Sequence, residues 1–321
     1  MEVTHSVVNN RIDIIIVNWN AGPLLRACLE SVVAADIFEL GIERVVVVDN
    51  GSTDESLFDV KQIHPLIEVL GNADNRGFAA ACNQGAAGSA AEYLLFLNPD
   101  TRIFPDSLRQ PLEFMNKSAN QSVGICGIRL LDNAGRISRT CSRFPSATTF
   151  LCKATGLDIL FPKICRDYIM AEWDHLQSAE VDHVIGAFYL VRRTLYERLE
   201  GFDQRFFVYL EDLDFSLRAK KAGWLTHYLS EPYAYHEGGG VSSQAKAARL
   251  AYSLRSRIMY SFKHFPRGPA IAVLVCTMLI EPICRLMRAL FRFSREELID
   301  IFHGYWILWR DLRGILAAIT Q

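Results

Sequence analysis

The stretch that decides the fold is Tyr93-Leu94-Leu95-Phe96-Leu97-Asn98-Pro99-Asp100. Five apolar residues in a row fit a strand buried on both faces, where alternation is lost because neither side meets water. Pro99 has no amide hydrogen for a ladder, so the strand stops there and leaves Asp100 at its carboxyl end. Upstream the same unit recurs. Residues 12–17, 44–48 and 66–70 read as three more strands, each followed by a polar loop. A helix fits 24–33, with Pro23 near its first turn and Leu25, Cys28, Leu29 and Val32 on one face. A small-residue helix fits 78–87. Strands alternating with helices at this spacing predict an α/β fold, with a mainly parallel central sheet flanked by helices. Ligands in such sheets sit beyond the carboxyl ends of the strands. Asn18, Asp49, the run from Asn72 to Arg76, and Asp100 all fall there.

Downstream, residues 130–180 are less regular, with a turn at Asn133-Ala134-Gly135 and breakers at Phe144-Pro145 and Phe161-Pro162. Order resumes in an apolar run over 181–191, a helix over 193–199 and the turn Gly201-Phe202-Asp203. A helix over 210–222 and a short strand over 225–229 come next, and a glycine-rich loop over 236–240 opens with His236.

With 321 residues, 50% hydrophobic and 22% charged, the chain can bury a large core. A net charge of −2 gives no case for nucleic acid as a partner. The eight cysteines include no CxxC pair, and no early stretch follows signal-peptide order, so they are expected as reduced thiols of a cytoplasmic protein. The last third changes character. Between residues 244 and 293 there are nine basic residues and a single acid, Glu281. Residues 244–262 are helical by pattern, with Leu250, Leu254, Ile258 and Phe262 four apart. The apolar run 269–280 is expected to be interrupted by Glu281-Pro282, short of the ~20 residues a membrane-spanning helix needs. Three readings of this tail stay open: a helix lying on an anionic membrane surface, a core helical hairpin with a solvated basic face, and a homodimer interface.

Several residues carry chemistry. A carboxylate at a strand end, as at Asp100, suits Mg²⁺ or Mn²⁺ bridging the two phosphates of a nucleotide, although Asn98-Pro99-Asp100 is also ordinary turn chemistry. Glu211-Asp212, followed by Asp214, opens a helix. The helix dipole alone accounts for acids there, and a general base is equally well served by the position. Asp49-Asn50-Gly51-Ser52-Thr53-Asp54 offers acceptors for a base or ribose, or an N-cap. His236 suits a metal or diphosphate contact, or a structural role.

Taken together, the stretches IDIIIVNWN, VVVVDNGSTD, NADNRGFAAACNQG, YLLFLNPD, GAFYLVRR, GFDQRFFVYLEDLDFSLRAKKAGW and YHEGGG resemble glycosyltransferase family 2 in their order, and most closely its rhamnosyltransferase-like members. The resemblance covers roughly residues 11–260. It implies a GT-A fold, an inverting mechanism, and a nucleoside-diphosphate sugar donor (dTDP- or UDP-linked) that gives up its sugar to a glycan or polyprenyl-diphosphate-linked acceptor in cell-surface polysaccharide synthesis. On this resemblance Asp100 matches the metal ligand of the family's D-x-D motif, and Asn98 stands where the first Asp would be and should bind sugar or ribose. Asp49 matches the base-binding aspartate, Asn18 and Asn20 lie in the first nucleotide-contacting loop, and Asn75, Arg76 and Gly77 match the next donor contact. Glu211 and Asp212 match the pair whose second member is usually the base, and His236 the late metal or diphosphate contact. The implied organisation is a GT-A domain over 1–240, with a donor-binding half (11–130) and an acceptor half (131–240) in which 130–180 is a variable insertion. A helical basic/apolar region (241–321) follows, suited to the inner face of a plasma membrane.

A non-catalytic, membrane-associated partner of a polysaccharide assembly complex is the rival reading, opposed by the joint presence of Asp49, Asp100, Asp212 and His236. A sugar nucleotidyltransferase or a dinucleotide-binding oxidoreductase would need a Gly-rich phosphate loop after a strand, and Asn18-Trp19-Asn20-Ala21-Gly22 offers one glycine.

Overall fold

The computed structural model describes residues 11–35, 40–238 and 246–320. The N-terminal part of the chain follows the expected rhythm: β1 (Ile12–Asn18), α1 (Pro23–Ala34), β2 (Ile42–Asp49), the short α2 (Val60–Ile63), β3 (Ile67–Gly71), α3 (Phe78–Ala86) and β4 (Tyr93–Leu97). β1 pairs in parallel with β2 and β4, and β2 with β3, so four strands end at one edge. All seven residues of β1 and all five of β4 are buried, which is why their sequences show no alternation.

Beyond β4 the sheet becomes mixed. The two-residue β5 (Thr101–Arg102), α4 (Pro105–Asn116) and β6 (Val123–Leu131) precede the irregular segment, which holds β7 (Cys141–Ser142), α5 (Ala147–Thr155) and α6 (Leu157–Leu160). The expected apolar run over 181–191 is three pieces: β8 (Ala179–Val181), β9 (His183–Val184) and β10 (Phe188–Arg192). α7 (Arg193–Arg198), α8 (Glu211–Lys221) and β11 (Leu225–His236) complete this half. β10 runs antiparallel between β4 and β6, and the main sheet has the order β3-β2-β1-β4-β10-β6-β11-β5, with β8 paired to β11.

Two sequence expectations change here. The strand expected over 225–229 extends to His236, because a register shift between Leu229 and Tyr233 absorbs Pro232 and lets pairing with β6 resume. His236 therefore sits in a ladder opposite Thr101 rather than in a loop, and Gly239 and Gly240 of the expected loop lie outside the described residues. The cysteines are not all reduced: Cys152 and Cys165 form a disulfide, since the chain after α5 folds back and brings their Cα atoms to 5.8 Å.

One core lies under α1 and α4, and a second on the opposite face of the sheet under α3, α7 and α8. The C-terminal region is helical throughout its described part: α9 (Lys246–His264), α10 (Arg267–Val275), α11 (Glu281–Phe291), α12 (Arg295–Arg310) and α13 (Leu312–Thr320). It has a core of its own around Leu254, Ile258 and Leu308, and a cluster of Phe150, Phe206, Leu213, Met259, Tyr260 and Val273 joins it to α5 and α8.

The expected interruption at Glu281-Pro282 does not occur. α10, a π-helical turn (Cys276–Ile280) and α11 form one helix over Arg267–Phe291, the one described helix long and apolar enough to cross a membrane. Glu281 has no exposed surface, yet its carboxylate accepts from Arg257 Nη1 at 2.6 Å and Arg285 Nε at 2.9 Å. Pro282 follows a wide turn that returns the Glu281 amide to the Cys276 carbonyl, so the ring enters where the ladder is already relaxed. Removing one partner of such a pair leaves a buried charge uncompensated. Glu281→Ala is expected to cost ~3–5 kcal/mol, read as a large loss of thermal stability, while Glu281→Leu combined with Arg257→Met should recover much of it. A negligible effect of Glu281→Ala would show that the pair does not hold α11 to α9.

Candidate active site

At the carboxyl edge of the sheet lies a cleft of about 910 Å³. Its lining includes Asn75, Gly77, Asn98, Asp100, Glu211, Asp212 and His236. Asn18, Asn20, Asp49 and Arg76 are close in the fold but do not line it.

The fold brings Asp100 and His236 together from distant parts of the chain. β5 starts one residue after Asp100 and pairs with the end of β11, and the Glu237 amide donates to the Asp100 carbonyl at 3.1 Å. As a result His236 Nε2 lies 3.3 Å from Asp100 Oδ1, with both side chains largely buried. Among the described residues no group of three or more His, Cys, Asp or Glu side chains converges as a metal cage. Two donors on one wall still fit Mg²⁺ or Mn²⁺, which commonly take one or two protein groups and complete their shell with phosphate oxygens and water.

Asn18 and Asp49 are buried beneath the loop that follows β2, committed to protein hydrogen bonds. Asn18 Nδ2 lies within donor range of Asp49 Oδ1 (2.8 Å), Ser52 Oγ (3.0 Å) and Ser56 Oγ (2.8 Å). Ser52 donates from its amide and its hydroxyl to Asp49. Asn20 takes a left-handed φ of 50° and accepts from the Thr53 amide at 2.8 Å, locking the loop after β1 to the loop after β2. Next to it, Asn50 Nδ2 donates to the Gly77 carbonyl. Gly77, at φ +87°, admits no side chain, because a Cβ there would lie 2.5 Å from the Phe207 carbonyl oxygen. The adjacent Phe78 amide donates to that same oxygen at 2.6 Å. Arg76 is exposed.

On the facing wall, Tyr209 and Leu210 both have positive φ (69° and 65°), a strained turn that starts α8 at Glu211-Asp212. Asp212 Oδ2 accepts from the Gly186 amide at 2.8 Å and Oδ1 from the Leu213 amide at 2.8 Å. Gly186 breaks the 181–191 run at the point where Asp212 needs room, since a Cβ would stand 3.1 Å from Oδ2. Behind the carboxylate runs a buried polar chain: His183 Nε2 at 3.6 Å from Asp212, His183 Nδ1 at 3.0 Å from Ser216 Oγ, and Tyr189 OH at 2.7 Å from the same hydroxyl. Burial lowers the pKa of His183, and the negative charge of Asp212 offsets this only in part, so the imidazole is held neutral. Glu211 is buried beside Asp212, where burial, and then the Asp212 charge, push its pKa well above the ordinary carboxyl value.

The cleft also includes residues not singled out from the sequence: Trp19, Arg139, Tyr168, Phe207, Arg249 and Tyr252. Arg249 and Tyr252 come from α9, and Tyr252 stacks on Phe207 with centroids 4.7 Å apart. The first C-terminal helix is thus a wall of the site. The i, i+4 row Leu250, Leu254, Ile258 carried the only signal, by leaving 249 and 252 on flanking faces.

A glycosyl transferase family 2 profile matches residues 13–165, and a glycosyl transferase family group 2 profile matches residues 93–318. The chain belongs to glycosyl transferase family 2. The family is inverting, and the protein is a glycosyltransferase. It is similar to an N-acetylglucosaminyl-diphospho-decaprenol L-rhamnosyltransferase of Mycobacterium tuberculosis, at 27% identity over 265 residues, covering 77% of this chain and 82% of that one. It is also similar to the rhamnosyltransferase WbbL of Escherichia coli, at 31% identity over 185 residues, covering 55% of this chain and 66% of that one. Among solved structures it shares its fold with the mannosyltransferase PcManGT from Pyrobaculum calidifontis in complex with GDP-Man and Mn²⁺ (TM-score 0.54, 18% identity, covering 97% of this chain and 86% of that one). Residues 1–349 of TarS from S. aureus are likewise similar (TM-score 0.51, 16% identity, 95% and 92% covered).

The raised pKa of Glu211 sets a sign for pH dependence. Above the ordinary carboxyl range of ~4.3 the unfolded chain releases this proton while the folded chain keeps it, so the folded state loses stability as pH rises. Glu211→Gln removes that loss. Its melting temperature relative to the native protein should climb between about pH 5 and about pH 8. A difference that stays constant across that interval would mean Glu211 is ionised in the fold.

Proposed function

We propose that this glycosyltransferase moves a sugar, rhamnose, from a dTDP- or UDP-linked donor to a polyprenyl-diphosphate-linked acceptor, and that it uses Mg²⁺ or Mn²⁺. One observation carries the reading: Asp212 and the Asp100–His236 pair line a single cleft at the carboxyl edge of the sheet. The names of the two rhamnosyltransferase relatives support the sugar and the acceptor class, and the Mn²⁺ of the mannosyltransferase neighbour supports the metal.

In this reading Asp212 is the general base. Its carboxylate takes the proton of the acceptor hydroxyl as that oxygen attacks the anomeric carbon opposite the departing diphosphate, which inverts the centre. The Gly186 and Leu213 amides orient the carboxylate, and His183 packs behind it. Asp100 and His236 would hold the metal, which would supply positive charge against the diphosphate. Asn98 contacts sugar or ribose, and Asn75, Arg76 and Gly77 flank the donor. Asp49, the match to the base-binding aspartate, is held by Asn18 and Ser52 and acts with Asn18 and Asn20 in fixing the Asp49–Thr53 loop beside the donor. Glu211, protonated and buried, shapes the start of α8 without exchanging protons with substrate.

Assay of a nucleotide-sugar panel with Mg²⁺ or Mn²⁺ and a lipid-linked acceptor tests the whole reading; no turnover on any donor sinks it. Asp212→Asn should keep donor binding and lower turnover by ~10²–10⁴. Native rates in that variant would move the base elsewhere. Asp100→Ala should abolish the tightening of UDP or dTDP binding by Mn²⁺ in calorimetry, and persistence of that tightening would exclude Asp100 as a ligand.

A further inference from the structure

The helix over Arg267–Phe291 carries an exposed apolar line at intervals of four: Ile271, Val275, Leu279, Ile283, Met287 and Phe291, all between 44% and 79% exposed. Steps of four overshoot a 3.6-residue turn by ~40° each, so such a line would wind away around a regular helix. The wider π-turn at Cys276–Ile280 takes back part of that rotation and keeps the line on one side. α12 adds a second line, Ile299, Phe302, Trp306 and Trp309, with Arg295 one turn ahead on the same side. Its acids Glu296, Glu297 and Asp300 fall away from that line, by the 3.6-residue period.

A third element comes from the acceptor half. The turn after α5 exposes Leu157, Ile159, Leu160, Phe161 and Ile164, with Lys163 and Arg166 among them. It continues the helical surface: α5 packs on α10, the π-turn and α11, and a Cβ on Gly156 would stand 2.9 Å from Arg288 Nη2. Aromatic and aliphatic residues flanked by Arg and Lys, on helices whose other faces are packed into the protein, match a surface seated at the level of lipid head groups. A bilayer-crossing seat fits less well, because 39% of the most apolar window of this helix is buried in the protein and its inner face carries the Glu281–Arg257 pair.

We propose that α11, α12 and the turn over 157–164 form one platform that seats on an anionic bilayer surface, so that the acceptor half itself enters the interface. The chain next to the platform walls the cleft: Tyr168 lies just past the 157–164 segment, and Arg249 and Tyr252 are on α9, against which α12 packs. The platform gives the proposed lipid-linked acceptor a short route to Asp212, and in that respect rests on that reading. Vesicle binding is measured with no acceptor present, so either can fail without the other.

The test is co-flotation of the full chain with phosphatidylglycerol/phosphatidylcholine vesicles and with phosphatidylcholine vesicles alone. The oligomeric state is read by light scattering, and folding by melting temperature. Binding should be stronger to the anionic vesicles. Phe161→Glu with Ile164→Glu should reduce it by about tenfold or more, as should Ile283→Glu with Phe291→Glu, with native melting temperatures. Absence of vesicle binding by the native protein overturns the proposal. So does native-level binding by the Phe161/Ile164 variant, or a stable dimer that both variants dissociate. Should either double variant melt early, Phe161→Ser with Ile164→Ser and Ile283→Ser with Phe291→Ser replace them under the same criteria.

Discussion

The site depends on a carboxylate that never meets water. Asp214 has no exposed surface, and it accepts from Arg218 Nε at 2.8 Å, Lys263 Nζ at 2.7 Å and His264 Nε2 at 2.7 Å. Burial pushes its pKa up, but the hydrogen bond from His264 and the charges of Arg218 and Lys263 more than offset this and hold it below the ordinary value. Lys263 also reaches Asp203 at 2.6 Å, which ties in the Gly201-Phe202-Asp203 turn. An anion so placed cannot separate from its cations without leaving a charge stranded in a poorly solvating interior. Two residues before it stands Asp212, so the direction of that carboxylate is inherited from α9. The C-terminal helices are therefore part of the frame that aims α8, and their removal would uncover Phe150, Phe206 and Leu213 as well.

How much of this was legible in the sequence varies with the range of the forces involved. The N-terminal part of the sheet was readable because its signals are local. A strand buried on both faces must be apolar along its length, and its neighbours repeat the pattern, so β4 is found at its expected bounds and β1 and β2 differ by one or two residues at their ends. β11 was cut short because Pro232 argues against a strand. The register shift that accommodates it is a property of pairing with β6, which no local pattern reveals. The Cys152–Cys165 link was missed for a similar reason: thirteen residues separate the two without any spacing rule, and only the fold-back after α5 brings them together.

The site divides along the same line. A strand end, a helix start and a glycine-rich stretch mark Asp100, Asp212 and His236 in the sequence, and the structure gathers all three around one cleft. What the sequence could not convey was which polar residues face the cleft and which serve the loops beneath it. Asn18 and Asp49 look alike as strand-end residues, yet the Asn18 amide is spent on Asp49, Ser52 and Ser56. His183 was invisible for the opposite reason. It sits within an apolar run, where a histidine reads as packing, and only the fold places it between Asp212 and Ser216.

The misreading of Glu281-Pro282 shows why charge and proline are poor stop signals when tertiary partners are hidden. An isolated carboxylate in an apolar helix is costly to bury, and proline in a regular helix interior costs ~3 kcal/mol or more. Both penalties are conditional. Arg257, on a helix that ends before α10 begins, removes the first by pairing with Glu281, and Arg285 one turn along shares the load. The π-turn removes much of the second by widening the backbone ahead of the ring. Together they let one apolar helix run from Arg267 to Phe291, with its charged residue turned inward to α9 and its exposed line turned outward. The inward charge also sets the helix's rotation. Any other azimuth would strand Glu281 away from Arg257, so the buried pair determines which apolar side chains face solvent.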